Sequence, residues 1–356
     1  MQYLRLVLLP FTLIYGFIIW VRNLMYDAGL FKSNQFSIPV ICVGNLVMGG
    51  AGKSPMSEYL IKLLKNKHRV AVLSRGYKRT TKGFRIVEDH DFVAAVGDEP
   101  LQFKRKFTEV TVAVDENRTE GIHRLKDDHD LVILDDAFQH RAVKAGLNVL
   151  LFEYGSLDDF MLMLPAGNLR EPFANRKRAD LIVITKCPNL LSENEMEAAR
   201  KLVKPFEHQY LFFSYLAYGN LVNLTSKEEL SLSSIHSRTA IFLLTGIANP
   251  KPLIEMLGGV SNQIIHCEYP DHHPFSIKNI AKLAADFKAS SDPDKIIITT
   301  EKDAQRLQSA EFVEHLKELP VYYLPVSARF SGLEEAQFNS IIESYVTKRL
   351  HDNTIH

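Results

Sequence analysis

The stretch Ile41-Cys42-Val43-Gly44-Asn45-Leu46-Val47-Met48-Gly49-Gly50-Ala51-Gly52-Lys53-Ser54-Pro55 decides the fold. It reads as a buried apolar strand, a glycine-rich turn, a Lys-Ser pair and the start of a helix. Glycines let the backbone curl so that successive N–H groups point at phosphate oxygens. In that geometry Lys53 reaches the β- and γ-phosphates of a nucleotide and the Ser54 hydroxyl takes Mg²⁺. The helix that follows adds its positive N-terminal end. Pro55 suits an early helical position, where an N–H would be unpaired anyway. The turn departs from strict G-x-x-x-x-G-K-[ST]: Val47 stands where the first glycine is expected, and Gly49 and Gly50 are extra. The competing reading is an ordinary strand-to-helix turn that happens to hold glycines. The expected nucleotide-binding set is Val47, Met48, Gly49, Gly50, Ala51, Gly52, Lys53 and Ser54, with ATP and Mg²⁺ as the implied ligands.

Such a loop needs a carboxylate on a neighbouring strand to hold the metal. Leu131-Val132-Ile133-Leu134-Asp135-Asp136 supplies an apolar strand ending in two acids, followed by Ala137-Phe138-Gln139-His140. Asp135 and Asp136 are therefore candidate metal ligands beside Ser54, and Gln139 completes the shell or orients a water. Asp also caps helices well, so capping is the alternative role for the pair.

Outward from these two segments, short β-branched runs recur, each followed by turn residues and a helical pattern. They are Ile38–Val43, Val70–Ser74, Thr111–Val114, Leu131–Leu134, Asn148–Phe152, Leu181–Thr185, Ala240–Leu244, Lys295–Thr299 and Val321–Leu324. Most are continuously apolar rather than alternating, the sign of a parallel sheet covered on both faces. The fold class is therefore α/β: a P-loop NTPase-like parallel-sheet domain plus a second, smaller α/β domain, with an N-terminal membrane-associated helix. The pattern loosens between Pro205 and Arg238, where Tyr210–Tyr218 alternates and a Ser/Asn/Leu-rich stretch follows. The expected division is a helix in 1–30, the P-loop domain in 31–205, a linker in 206–238 and the second domain in 239–356.

The chain has 356 residues, 46% of them hydrophobic and 24% charged, the mix of a folded protein with a sizeable core. Lys+Arg and Asp+Glu both number 42, so the basic excess of a general nucleic-acid binder is missing, and no nucleic-acid partner is expected. Any bound anion is held by a local cluster. The three cysteines form no C-x-x-C pair, which argues against a zinc site or a disulfide framework. The most apolar segment is Leu4 to Val21, with Arg5 as its only charge and Trp20, Arg22 and Tyr26 placed as interface anchors. It is at the short end for spanning a bilayer, and Pro10 and Gly16 weaken it as a straight helix. A cleaved signal peptide and a buried helix are alternatives. The favoured reading is a helix in or partly across the bilayer, with the rest of the chain on the cytoplasmic side where ATP is.

Several motifs taken in order are similar to one family. They are the apolar N-terminal helix, V-G-N-L-V-M-G-G-A-G-K-S-P (43–55), S-R-G-Y (74–77), G-D-E-P (97–100), D-D-A-F-Q-H (135–140), L-R-E-P (169–172), D-H-H (271–273) and T-E-K-D-A-Q-R (300–306). Together they resemble the tetraacyldisaccharide 4'-kinases, the lipid A 4'-kinases of Gram-negative bacteria, over nearly the whole chain. Even Val47 fits that family's loop better than the general one. The resemblance implies transfer of the γ-phosphate of ATP to the 4'-hydroxyl of a tetraacylated glucosamine disaccharide 1-phosphate at the cytoplasmic face of the inner membrane. It implies Asp98 as the base, paired with His272, and Lys53 as the third catalytic residue. It implies Ser54, Asp136 and Gln139 as magnesium ligands, with Asp135 the first acid of the pair. His273 lies beside His272 and is the alternative partner of Asp98.

Phosphoryl transfer asks mainly for positioning and charge neutralisation, plus a base for a poorly nucleophilic sugar hydroxyl. With Asp98 in the first domain and His272 in the second, the site falls in a cleft that domain closure assembles. Arg75, Tyr77 and Lys78 form a basic cluster with an aromatic, suited to the acceptor's phosphate. Glu99 and Arg170 are assigned to the same side, where Arg170 and Glu171 could also close the cleft or touch nucleotide. Thr300-Glu301-Lys302-Asp303 reads first as a helix N-cap, with a nucleotide role for Lys302 as the alternative. Thr185-Lys186-Cys187-Pro188 faintly resembles a guanine-reading T-K-x-D but ends in Pro, which argues against GTP. The runner-up function is a regulatory P-loop ATPase or GTPase switch recruited to the membrane, and a third is a soluble small-molecule kinase. The expected partners are the lipid-linked disaccharide 1-phosphate and the membrane surface, with no obligate protein partner.

Overall fold

Runs of β-branched and aliphatic residues with no polar alternation bury both of their faces, and here they pair in parallel. The computed structural model describes residues 5–159 and 161–354; Leu4, the first residue of the apolar segment, lies outside them. The first eight strands are β1 (Val40–Asn45), β2 (Val70–Ser74), β3 (Arg85–Ile86), β4 (Thr111–Val114), β5 (Leu131–Asp135), β6 (Leu147–Glu153), β7 (Leu181–Cys187) and β8 (Tyr210–Tyr218). Then come β9 (Leu221–Asn223), β10 (Glu229–Leu230), β11 (Ala240–Thr245), β12 (Ile264–Glu268), β13 (Lys295–Thr300), β14 (Val321–Leu324) and β15 (Val326–Phe330).

They form a nine-stranded sheet in the order β15-β8-β7-β6-β1-β5-β2-β4-β3 and a six-stranded sheet in the order β10-β9-β14-β13-β11-β12. In the first sheet β1 is central, parallel to β5 and β6, with every residue buried. Helix Lys53–Leu64 covers one face of it, packing Met56, Leu60, Ile61 and Leu64 into the core. Each fully buried side chain of this kind stabilises by about 1.5–3 kcal/mol.

The division of the chain departs from the expected one. Residues 206–238 are no linker: β8 is a strand of the first sheet, and β9 and β10 belong to the second. The alternation of Tyr210–Tyr218 has a physical reason, since β8 lies near the sheet edge and is only partly buried. Nor does the second domain run to 356. The chain crosses to the second sheet after β8 and returns at Pro325, where β15 pairs antiparallel with β8. The final helix, Gly332–Thr354, then packs Phe338, Ile342 and Val346 on the first core. The two crossings lie side by side, with the Gly219 N–H donating to the Pro325 carbonyl at 3.0 Å.

The N-terminal helix, Leu9–Asp27, carries Pro10 in its first turn, where a missing N–H costs nothing. It docks by polar groups. Tyr15 donates to the Arg170 carbonyl at 2.8 Å, Arg22 to the Gln139 carbonyl at 2.8 Å, and Arg141 to the Asn23 carbonyl at 2.9 Å. Its apolar side chains Phe11, Leu13, Ile14, Phe17, Ile18 and Trp20 stay exposed.

Candidate active site between the two sheets

The phosphate loop leaves β1 at Asn45 and turns into its helix at Gly52, whose φ of 77° is a conformation glycine adopts without penalty. Thr185, at the end of β7, donates to the Ala51 carbonyl at 2.9 Å and so buttresses the turn from below. That is the task of the T-K-C-P segment here; Lys186 reaches Glu153 at 3.1 Å. The Lys53 ammonium lies 3.4 Å from Asn45 Oδ1 and 3.7 Å from Asp136 Oδ2. Ser54 donates to Glu99 Oε1 at 3.0 Å.

Pairing of Val43 with Asp135 sets the acid pair beside the loop. Ser57, one turn into the loop helix, donates to Asp135 Oδ1 at 2.9 Å, while Asp135 Oδ2 is buried without a partner. Burial, then the charges of Glu99 and Asp136, pushes the Asp135 carboxyl upward. Burial acts on Asp136 too, but Lys53 and Arg170 outweigh it and hold that carboxyl down. Arg170 donates to both Asp136 oxygens, at 2.9 and 3.1 Å, and approaches Gln139 Oε1 at 3.4 Å. A guanidinium thus neutralises the oxygens expected to face a metal. The Gln139 amide donates to the Asn45 carbonyl and to Glu171.

The donor set fits magnesium. A hydroxyl, a carboxylate and an amide oxygen are hard ligands, and Mg²⁺ takes one or two carboxylates plus phosphates and waters rather than an all-protein cage.

The opposite wall is built by close approach of two glycines. A Cβ on Gly97 would lie 3.2 Å from the Gly76 Cα, and both residues have positive φ, 93° and 67°. S-R-G-Y and G-D-E-P therefore pack backbone to backbone, which brings Tyr77 and Glu99 into one cleft. Asp98 is 3% exposed, with Oδ1 taking the Glu99 N–H and Oδ2 taking His272 Nδ1 at 2.9 Å. Arg306 donates to the same Oδ2 at 2.6 Å. Burial would raise Asp98, but the His272 hydrogen bond and the Lys302 and Arg306 charges overcome it and hold the carboxyl well below the usual range. His272, not His273, makes this contact: His273 stacks on Tyr269 with ring centroids 4.7 Å apart and meets Asn279. The carboxylate lies behind the imidazole, and the ring lines the cleft, its Nε2 3.0 Å from Lys302 Nζ. Tyr77 packs edge-on against His272 at 5.2 Å, and Lys78 reaches the His272 carbonyl at 3.4 Å.

Both walls open into one cleft of about 820 Å³. The residues drawn from sequence gather in it, Arg75, Tyr77, Lys78 and Arg170 included, with three exceptions: Asp98 and Asp135 are buried behind its surface, and Val47 does not line it but bridges to Leu169. Others had no local signal. Tyr15 and Arg22 arrive from the N-terminal helix. Arg118 is buried with an unpartnered Nε, and His140 Nε2 is likewise buried and unpartnered. Burial and then Arg118, Arg22 and Arg75 push the His140 imidazole down to about 4. Cations crowded around a neutral histidine make a place for an anion.

A parallel sheet with a glycine loop, an acid pair on the adjacent strand and a buried histidine–carboxylate pair across the cleft defines a P-loop phosphotransferase. The comparisons narrow that class. The family model for tetraacyldisaccharide-1-P 4'-kinase matches residues 4–347. A tetraacyldisaccharide 4'-kinase of Flavobacterium johnsoniae is 43% identical over 356 residues, covering 98% of this chain and 99% of the relative. One from Phocaeicola vulgatus is 40% identical over 347 residues, covering 96% and 95%. The crystal structure of Aquifex aeolicus LpxK in complex with ATP is similar with a TM-score of 0.73 and 30% identity, over 96% of this chain and 99% of that one. This chain belongs to the tetraacyldisaccharide-1-P 4'-kinase family.

Proposed function

We propose that this protein transfers the γ-phosphoryl group of ATP to the 4'-hydroxyl of tetraacyldisaccharide 1-phosphate in lipid A biosynthesis. The observation that carries the reading is the opening of the phosphate loop and the Asp98–His272 pair into one cleft. The amides of residues 47–54 and Lys53 hold the triphosphate. Ser54, Asp136 and Gln139, with Asp135 behind them, would hold Mg²⁺, which would neutralise phosphate charge. Arg170, now on Asp136, would then be free to turn to the phosphates. The expected base was Asp98, but it is buried behind the ring, so in this reading the acceptor hydroxyl gives its proton to His272 Nε2, the atom on the cleft side, while Asp98 orients the ring and balances its charge. The new bond joins the sugar oxygen to Pγ, the bond between Pγ and the bridging oxygen breaks, and ADP leaves. Arg75, Tyr77 and Lys78, with Glu99, line the acceptor side, and Arg22 and Arg118 supply charge for its 1-phosphate.

The helix Leu9–Asp27 lies at the cleft mouth and turns an apolar face outward. It is long and apolar enough to cross a bilayer. That arrangement supports a site at the cytoplasmic surface of the inner membrane, with lipid tails alongside the exposed face. The test uses full-length protein, γ-labelled ATP, Mg²⁺ and vesicles containing tetraacyldisaccharide 1-phosphate. Label moves into the lipid, and Lys53→Ala abolishes the transfer. Release of label as free phosphate at a rate indifferent to the lipid would support the switch reading instead.

A further inference from the structure

We infer that Lys302 is a further catalytic residue, a cation that the second domain delivers to the phosphoryl group in transit. The inference rests on the kinase reading above. Lys302 stands in the first turn of helix Glu301–Leu307, which Thr300 caps by accepting from the Asp303 N–H at 3.0 Å. The cap fixes the turn, and the lysine projects from the second domain into the cleft.

Its position is set by two contacts. Nζ donates to Glu99 Oε1 at 3.1 Å and approaches His272 Nε2 at 3.0 Å. The same Glu99 oxygen accepts from Ser54 at 3.0 Å. Two donors, one from the phosphate loop and one from the opposite domain, therefore converge on a single anionic oxygen. Lys302 stands between the loop serine and the histidine that faces the acceptor, which is the path the phosphoryl group takes. The Glu99 carboxylate holds a place that a phosphoryl oxygen can take over, because it satisfies the same two donors with the same charge. The ammonium also donates to His272 Nε2, which leaves the ring proton on Nδ1 for Asp98. When the acceptor hydroxyl replaces the ammonium at Nε2, Lys302 is free to follow the developing charge.

The charge itself is secure. Burial alone would depress the lysine, but Glu99, Asp98 and Asp271 overcome it and raise it to about 12. A buried cation held beside the reacting atoms acts in a site with little water, where its attraction for developing charge is strong. Arginine fingers of phosphoryl-transfer enzymes do the same work. Here the finger comes from the same chain, and the interdomain helix contact positions it.

The test compares Lys302→Met, Lys302→Arg and wild type as full-length proteins with matched thermal melting. The expected loss in kcat for Lys302→Met is about 10²–10³-fold, with Lys302→Arg recovering part of it. Binding is read by calorimetry with Mg²⁺ and two probes, ADP alone and ADP with aluminium fluoride. Lys302→Met is expected to leave ADP affinity within a few-fold and to weaken the fluoride complex at least ~10-fold. In a His272→Ala background, Lys302→Met should still cost at least ~10-fold in kcat. No further loss in that background would make Lys302 a positioning residue for the histidine and overturn the proposal, as would equal weakening of both probes. A wild type that transfers nothing to lipid would sink the kinase reading instead, and the two binding probes would still decide the role of Lys302.

Discussion

The two walls of the cleft are assembled by different means. The phosphate wall is local: β1, β5 and β7 lie in one sheet, and the loop, the acid pair and Thr185 are fixed by strand register. The acceptor wall is held by contacts across the chain, such as Arg306 on Asp98 over 208 positions. Four pairs join helix Asp98–Lys106 to helix Glu301–Leu307: Glu99 with Lys302, Asp98 with Arg306, Lys106 with Glu301, and Arg105 with Gln305. The difference teaches that one half of the site is set within a single sheet while the other depends on contacts between the two domains, and we propose that domain closure completes it. Nucleotide can bind to the first half alone, and chemistry waits for the second.

The sharpest way to break this contrast is Asp98→Asn. It should lower kcat by about 10²–10⁴-fold. Asp98 is held ionised far below neutral pH, so it is not the group that titrates between pH 5 and 9. The acid limb of the rate profile should therefore persist in the variant; its disappearance would mean that Asp98 itself carries the titration.

Arg306→Met comes next and acts on closure. Removing one partner of a buried ion pair leaves the other charge unmatched, at a cost of about 3–5 kcal/mol. The expected outcome is a lower melting temperature and a larger solution radius by small-angle scattering. An unchanged radius would show that the helix–helix contact does not hold the domains together.

The smallest effect belongs to Glu58, on the loop helix. It faces Lys106 at 2.7 Å and Gln102 at 2.7 Å, and Lys106 also holds Glu301 at 2.7 Å. One lysine cannot match two buried acids. Lys106 keeps its proton, and burial together with Glu301 pushes the Glu58 carboxyl up. For an acid raised on folding, the stabilisation is full below its unfolded value and is lost as pH rises through the folded one. Glu58→Gln should thus gain on wild type between pH 5 and 8, by about 1–2 kcal/mol or a few degrees in melting temperature. A gap that narrows with rising pH would contradict the assignment.

The same contrast explains what could be read from sequence. Residues 41–55 and 131–140 each carry their chemistry within one strand and the turn after it, so the nucleotide half was legible. So were the buried parallel strands, whose apolar runs leave no other place for them. The first crossing, at 219–220, falls inside the stretch where the pattern loosens, but the return at 325 left no mark, because the short strands on either side of it, one in each sheet, are alike in composition. Arg118 carried no local signal and Arg306 only its place in T-E-K-D-A-Q-R; only folding sets the first, its Nε buried and unpartnered, near His140 and the second on Asp98. Glu58 carried no local signal either; only folding buries it beside Lys106.

The most direct test of a preformed phosphate half and a closure-dependent acceptor half is a calorimetric titration with a non-hydrolysable ATP analogue and Mg²⁺. It compares wild type with His272→Ala, alongside turnover with the lipid acceptor. The account predicts analogue affinity within a few-fold of wild type and a loss of turnover of about 10²-fold or more. A His272→Ala protein that loses analogue binding in proportion to turnover would contradict it.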